Sequence, residues 1–420
     1  MRALFTTYEG GGHVPPALMV GRRLQALGHA VRLVSDEATR TEAEREALDF
    51  QPWRRAPNRS APASASDPLR DWKARTPVGV VRAVCDAVMC RPALDYARDT
   101  LETLEAFRPD VVVTQELLFG VMAAAEAAGV KLALLTGNLW CFPTRDDVPP
   151  FGPGFLPPRN RFEEGRERTT RAILKRLYDM GLDDLNRARA SLGLKPLRHV
   201  LDQLKRADLV LLGTSAAFDY GRCAPPAPFA YAGPLFHVPA WSAATLPPEL
   251  EGGAPLVLVS FSTTFQDQAA VIGRCVEALS RLPVRGVVTL GPALNPEDVA
   301  SASNVAVLRS VSHDVLVPRC AAVICHGGHG TLLRPLMHGV PVLCLPMGRD
   351  QPENAARVTH AGAGLRLPSR ASSHRVGAAI GRLLRDRSFG EAAKRLGRSI
   401  AREADGGEAA AAAIANLAAR

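Results

Sequence analysis

CAAVICHGGHGTLLRPLMHGVPVLCLPMGRDQPENAARVTHAGAG, residues Cys320–Gly364, decides how this chain reads. An apolar run, Ala321–Cys325, leads directly into His326-Gly327-Gly328-His329-Gly330-Thr331, and a helical pattern starts near Leu332. A buried strand entering a glycine-rich turn and then a helix is one βα unit. Glycines let the backbone approach a ligand closely, and the first N–H groups of a helix have no intrahelical partner. With the positive end of the helix dipole, such a turn is an anion site, most simply for a diphosphate. His326 adds a donor and Thr331 a hydroxyl. A second apolar run, Val340–Leu345, ends at Pro346-Met347-Gly348-Arg349-Asp350-Gln351. A carboxylate beside an amide at a strand's C-terminal end is a natural clamp for sugar hydroxyls, Asp350 accepting and Gln351 donating. Either turn alone is an ordinary strand exit; the two together at this spacing favour a ligand site.

Working outward, short apolar runs alternate with helical stretches throughout. The strands expected in the N-terminal half are Ala3–Thr7, Ala30–Ser35, Asp110–Thr114, Lys131–Thr136, Leu209–Gly213 and Phe229–Ala232. Those expected in the C-terminal half are Pro255–Ser260, Gly286–Leu290, Val305–Leu308, Ala321–Cys325, Val340–Leu345 and Gly364–Leu367. Their near-continuous Val, Leu and Ile content suits strands buried on both faces. The alternation predicts an α/β fold of two doubly wound, Rossmann-like domains, consistent with 420 residues at ~150 per domain. The boundaries are drawn at 1–220 and 255–399, with a proline-dense linker at 221–254 and a tail at 400–420. The Ala-rich end of that tail, Glu408–Arg420, is a helix former too short to stand alone, so it docks on a domain. A second Pro/Gly-rich stretch, Pro143–Pro158, reads as a surface loop or as a wall over an apolar ligand.

Composition removes several functions. The net charge of +9 invites a nucleic-acid reading, but the arginines are scattered among acids and aromatics make up only 5% of residues. No stretch approaches the roughly 18–20 apolar residues of a membrane span. The N-terminus lacks a signal-peptide pattern, so the expected location is cytoplasmic. Eight cysteines without Cys-x-x-Cys or zinc-finger spacing imply neither disulfides nor a metal site.

Tyr8-Glu9-Gly10-Gly11-Gly12-His13-Val14-Pro15-Pro16 lies between the first strand and first helix, at the strand end where open α/β sheets bind ligands. Asp36 ends the next strand, which raises an NAD(P)-binding alternative. However, Pro15 occupies the position where Gly-x-Gly-x-x-Gly needs its last glycine.

With these motifs in hand, the chain resembles the family 1, GT-B-fold nucleotide-sugar glycosyltransferases, above all bacterial enzymes that decorate natural products. The likeness is specific in Cys320–Gly364, moderate at the N-terminus and faint through Gln51–Leu101. It implies two domains facing a central cleft, with the tail helix docking back on the N-terminal one. His326, Gly327, Gly328, Gly330 and Thr331 would hold the donor diphosphate, and Asp350 and Gln351 its hexose. Ser262 and Thr263 fall at the strand-exit loop near the phosphates, and Val311 at the loop facing the base. His13 matches the histidine of the family's Gly-x-Gly-His-x-x-Pro loop, its general base. The acceptor, a largely apolar small molecule, would lie near Phe119, Trp140 and Phe142 unless these are core. Direct displacement inverts the anomeric carbon without a metal, and the nucleotide sugar is a co-substrate, not a cofactor. Homodimerisation is left open.

The pattern departs at three points. Where the family usually has an aspartate that orients the histidine, this chain has Gln115, with Glu116 next; either Glu116 swings in or the base works beside an amide. Arg334 replaces an acidic ribose contact, and serines flank Val311 where an aromatic often stacks. Together these favour dTDP-sugar over UDP-sugar. A phenol near pKa ~10 facing an imidazole near ~6.5 leaves about 5 kcal/mol to climb if the proton moved first, so the base must act as the oxygen attacks. The departure at Gln115 also leaves open a catalytically weak homologue serving as a binding partner of another enzyme.

Overall fold

Thirteen short strands and fourteen α-helices alternate along the described residues, which in this computed structural model are 1–61, 69–74, 76–221, 224–236, 252–262, 264–403 and 405–420. The N-terminal half contributes β1 (Arg2–Thr6), β2 (Ala30–Ser35), β3 (Asp49–Pro52), β4 (Val111–Thr114), β5 (Lys131–Thr136), β6 (Leu209–Leu212) and β7 (Phe229–Tyr231). The C-terminal half contributes β8 (Leu256–Ser260), β9 (Arg285–Thr289), β10 (Val305–Leu308), β11 (Ala322–Cys325), β12 (Val342–Cys344) and β13 (Gly364–Arg366). They form two sheets, ordered β3-β2-β1-β4-β5-β6-β7 and β10-β9-β8-β11-β12-β13. Every pairing is parallel, with Phe5 opposite Leu33 and Val113, and Ile324 opposite Val259 and Leu343. All-parallel sheets must be covered on both faces, and the residues show it. Leu4, Val34, Val112 and Leu134 enter one core, while their neighbours Phe5, Leu33, Val113 and Leu135 enter the core on the opposite face. Likewise Leu258 and Val323 face one side of the second sheet, and Val259 and Ile324 the other.

All twelve expected strands are present. The thirteenth, β3, escaped notice because its sequence, Asp-Phe-Gln-Pro, is polar and ends in proline; it is a partly exposed edge strand.

The helices are α1 (Val14–Ala26), α2 (Arg40–Arg45), α3 (Pro77–Val84), α4 (Ala93–Phe107), α5 (Phe119–Ala128), α6 (Arg161–Tyr178), α7 (Leu182–Ser191), α8 (Ala269–Ser280), α9 (His313–Leu316), α10 (His329–Met337), α11 (Gln351–His360), α12 (Ser373–Arg385), α13 (Arg387–Ala401) and α14 (Gly406–Ala418). None is long and apolar enough to cross a membrane. The chain returns to the N-terminal half after α13. Glu403 accepts from the Ser215 hydroxyl (2.7 Å) and the Ala217 N–H (3.0 Å). Helix α14 then starts at Asp405, whose carboxylate caps the Gly407 and Glu408 N–H groups. Ala410, Ala411 and Ile414 are fully buried in the core that holds Phe5, Leu18 and Val20, and Glu408 pairs with Arg23 on α1. The tail helix thus covers one face of the first sheet. Half of the expected linker, 222–223 and 237–251, lies outside the described residues.

Replacing Ile414 with Ala should leave a cavity against α1 and cost about 2–5 kcal/mol, read as a lower urea midpoint with an unchanged slope.

Candidate functional site

The first βα turn is shaped by Asp36 at the end of β2. Its carboxylate accepts from the Glu9 N–H and from the Arg59 N–H (2.7 Å). Glu9 in turn accepts from the Gly11 N–H (3.0 Å), and Arg59 Nη1 donates to the Glu9 carbonyl (2.5 Å). Asp36 is therefore spent on holding the loop, which argues against a ribose-binding role in an NAD(P) site. The loop delivers His13 to the start of α1, half-buried, its ring 5.1 Å from that of Tyr8. Thr7, His13 and Gln115 line a space of about 190 Å³ at the C-terminal ends of β1 and β4. Burial lowers the His13 pKa to about 4, and the charge of Arg349 adds to the shift.

Gln115 stands beside His13 but does not bond its ring. Its Nε2 donates to Thr7 Oγ1 (2.8 Å), and that hydroxyl faces the His13 backbone carbonyl (3.3 Å). Gln115 Oε1 is buried without a partner among the described residues. Glu116 does not swing in: its Oε1 accepts from Cys141 Sγ (3.4 Å), and Oε2 is buried and unpartnered. Burial, with Asp350 nearby, raises its pKa to about 7. No described carboxylate hydrogen-bonds the His13 ring, and the Gln115 amide nearby is spent on Thr7.

Across the cleft, β11 runs into the His326–Gly328 turn and α10. His326 stacks on Phe261 (6.0 Å between centroids), and its Nδ1 is buried with no partner among the described residues. A Cβ on Gly328 would come within 2.3 Å of His326 Nε2, so only glycine lets the turn close over that ring. Burial lowers His326 to about 3 and His329 to about 4, making both neutral donors or acceptors at pH 7 rather than cations. His329 Nδ1 approaches Asn354 Oδ1 (3.4 Å), while its Nε2 has no hydrogen-bond partner among the described residues. Gly330 and Thr331 open α10, which has no side-chain cap.

The remaining residues expected from sequence divide. Ser262 Oγ bonds Thr264 Oγ1 (2.9 Å), and Thr263 lies outside the described residues. Gln351 is occupied: its Oε1 accepts from the Met347 and Gly348 N–H groups (2.7 and 3.2 Å), and its Nε2 donates to Gln266 Oε1 (2.9 Å). Val311 turns into the core beside Leu316 and Val317, leaving only its backbone for a nucleoside. Arg334 pairs with Asp314 (3.4 Å) instead of facing outward as a free charge. The aromatic trio needs correction. Phe119 is fully buried and packs on Phe142, so it presents no surface to an acceptor. Trp140 and Phe142 are also core, packed edge-on against Phe229 and Tyr178, and only their far edges reach a 280 Å³ space beside Arg145 and Glu353.

Contacts invisible in the sequence join the two halves. Asn138, after β5, donates to Asp350 Oδ2 (3.3 Å), which also accepts from Asn354 Nδ2 (2.7 Å). One turn further along α11, Glu353 accepts from the Gly152 and Gly154 N–H groups (2.9 and 2.5 Å). The stretch Pro143–Pro158 is thus a strap latched to the helix that carries Asp350. Asp219 then accepts from both Arg145 (3.0 Å) and Arg357 (2.8 Å), all three deeply buried. Sequence reasoning passed over Arg349, Asn138 and Asn354. Arg349 stood in the quoted motif, but a single arginine in a strand-exit loop looks like surface charge.

Residues 274–415 match the family described as erythromycin biosynthesis protein CIII-like, C-terminal domain. Over 389 residues the chain is 32% identical to 4'-demethylrebeccamycin synthase of Lentzea aerocolonigenes, spanning 89% of each protein. Its fold is similar to that of CalG4, the calicheamicin glycosyltransferase (TM-score 0.74, 20% identity, 100% of this chain and 98% of that one). It is also similar to the glycosyltransferase VinC in complex with dTDP (TM-score 0.69, 20% identity, 100% of both chains).

The buried histidines carry a stability consequence. His326 and His329 titrate near 3 and 4 in the folded chain and near 6.5 when exposed. As pH falls below about 6.5 the unfolded chain takes up protons first, so stability is lost down to about pH 4. Each histidine contributes a slope of up to about 1.4 kcal/mol per pH unit. A His329→Asn variant should show a shallower fall of Tm between pH 6.5 and 4 than the parent protein; an equal fall would contradict the buried neutral state.

Proposed function

The chain belongs to the GT-B-fold glycosyltransferases of natural-product biosynthesis, and from that premise we propose that it is an inverting O-glycosyltransferase with His13 as general base. The donor is a dTDP- or UDP-sugar, with dTDP favoured, and the acceptor is a hydroxyl on a largely apolar aglycone. The observation that carries this reading is the Asn138–Asp350 hydrogen bond. It joins the loop after β5 to the start of α11, and the charge of Arg349 in the neighbouring loop acts on both His13 and His326, which supports one shared cleft.

In the reaction, the acceptor oxygen attacks the anomeric carbon while its proton passes to a His13 ring nitrogen. The anomeric C–O bond breaks, and its electron pair leaves on the nucleoside diphosphate. His13, at about 4, lies some six units below a phenol, about 8 kcal/mol if the proton moved alone. Proton removal must therefore coincide with attack, and acidic acceptors such as phenols are favoured over aliphatic alcohols. Asp350 sits at the N-cap of α11, where sugar hydroxyls can exchange for its Asn138 and Asn354 contacts, while Gln351 beside it would have to give up its Gln266 bond to reach the sugar. The α10 N-terminus and His326 meet the diphosphate. The amide neighbour of His13 also supports a second reading, a weak catalyst that binds nucleotide and serves another enzyme.

Replacing His13 with Ala should lower turnover by about 10²–10⁴-fold, while dTDP still raises the melting temperature. In the parent enzyme, the acid limb of kcat/KM should fall near pH 4 rather than 6.5. Nucleotide binding without transfer to any phenolic acceptor would favour the second reading.

A further inference from the structure

In the second sheet β11 lies between β8 and β12. Arg349, in the loop after β12, nonetheless donates from Nη1 to Thr264 Oγ1 (2.8 Å) in the loop after β8. To do so its side chain must pass the C-terminal end of β11, the strand that leads into the His326–Gly328 turn. Gln351 Nε2 makes the same crossing to Gln266 Oε1. The backbone is set for this reach: Arg349 has φ +56°, a left-handed conformation uncommon for a long side chain, and follows Gly348 at φ +151°. Its charge is felt on both sides of the cleft, at His13, His326 and Asp350.

A leaving diphosphate gains negative charge as the bond to sugar breaks, and stabilisation aimed at that charge accelerates the step. The α10 N-terminus offers roughly half a positive charge. His13 and His326 enter neutral, so neither adds a full one. A guanidinium does, in a planar fork that matches phosphate oxygens. We propose that Arg349 is a catalytic residue of the transfer: its guanidinium holds the donor's β-phosphate and neutralises the charge that grows there as the anomeric C–O bond breaks. This rests on the assignment of the α10 turn as the donor diphosphate site. Thr264 orients the fork.

Two variants separate charge from scaffold: Arg349→Gln retains an amide donor for Thr264 without charge, and Arg349→Lys retains charge without the fork. The probes are dTDP and UDP, each with its monophosphate and nucleoside, measured by calorimetry, together with kcat for a transferable donor. For Arg349→Gln the expected result is at least tenfold weaker diphosphate binding with nucleoside binding within twofold. Its kcat should fall about 10²-fold, with Arg349→Lys intermediate and Tm unchanged in both. Diphosphate binding within twofold of the parent protein and normal kcat would overturn the proposal. So would an equal loss for nucleoside and diphosphate, the mark of a scaffold role. A parent protein that binds neither diphosphate would instead overturn the donor-site assignment beneath it.

Discussion

Asp219 between Arg145 and Arg357 is the constraint on which the cleft depends. Arg145 and Asp219 belong to the N-terminal half and Arg357 to α11 of the C-terminal half, and all three are almost wholly buried. Burial alone would raise the Asp219 pKa, yet the two guanidiniums and the Tyr231 hydroxyl hold it below the ordinary carboxylate range. Losing one partner from such a group strands uncompensated charge, typically at a cost of about 3–5 kcal/mol. The network therefore fixes α11 against the N-terminal half. Because Asp350 and Gln351 begin that helix, fixing it also fixes the sugar end of the site relative to Asn138 and His13.

The Glu353 latch extends the same logic. Its carboxylate serves two strap N–H groups, and a Cβ on Gly154 would come within 2.6 Å of the Pro352 carbonyl. Strap, helix and clamp thus behave as one packed unit, with the electrostatics of the cleft set around it. Burial keeps His13, His326 and His329 neutral, and Glu116 is pushed toward neutrality as well. Arg349 brings a guanidinium charge that acts on His13, His326 and Asp350. A cleft built this way suits a reaction in which a diphosphate departs with an added negative charge and an acidic acceptor gives up its proton only as it attacks.

Much of this was legible in the chain. Runs such as Val-Val-Val-Thr and Leu-Val-Leu-Val-Ser announce strands buried on both faces, and the glycine-rich turn before α10 announces an anion site. Strand β3 was not legible, because an edge strand has no need of apolar alternation. Trp140 and Phe142 were left between core and acceptor wall because an aromatic before a proline-rich loop looks the same in either role. Gln115 was read at the place of the family's orienting aspartate; its amide bonds Thr7, whose hydroxyl faces the His13 backbone carbonyl and not the ring. The decisive contacts, Asn138 with Asp350 and Glu353 with Gly152, join residues about two hundred positions apart. Nothing local encodes them.

The central claim is single displacement at one cleft, and the stereochemistry of the product tests it most directly. A dTDP-hexose of known anomeric configuration is incubated with the protein and a phenolic aglycone, and the product's anomeric coupling constant is read by proton NMR. Inversion at the anomeric carbon is the predicted result; a product that retains the donor configuration would contradict it.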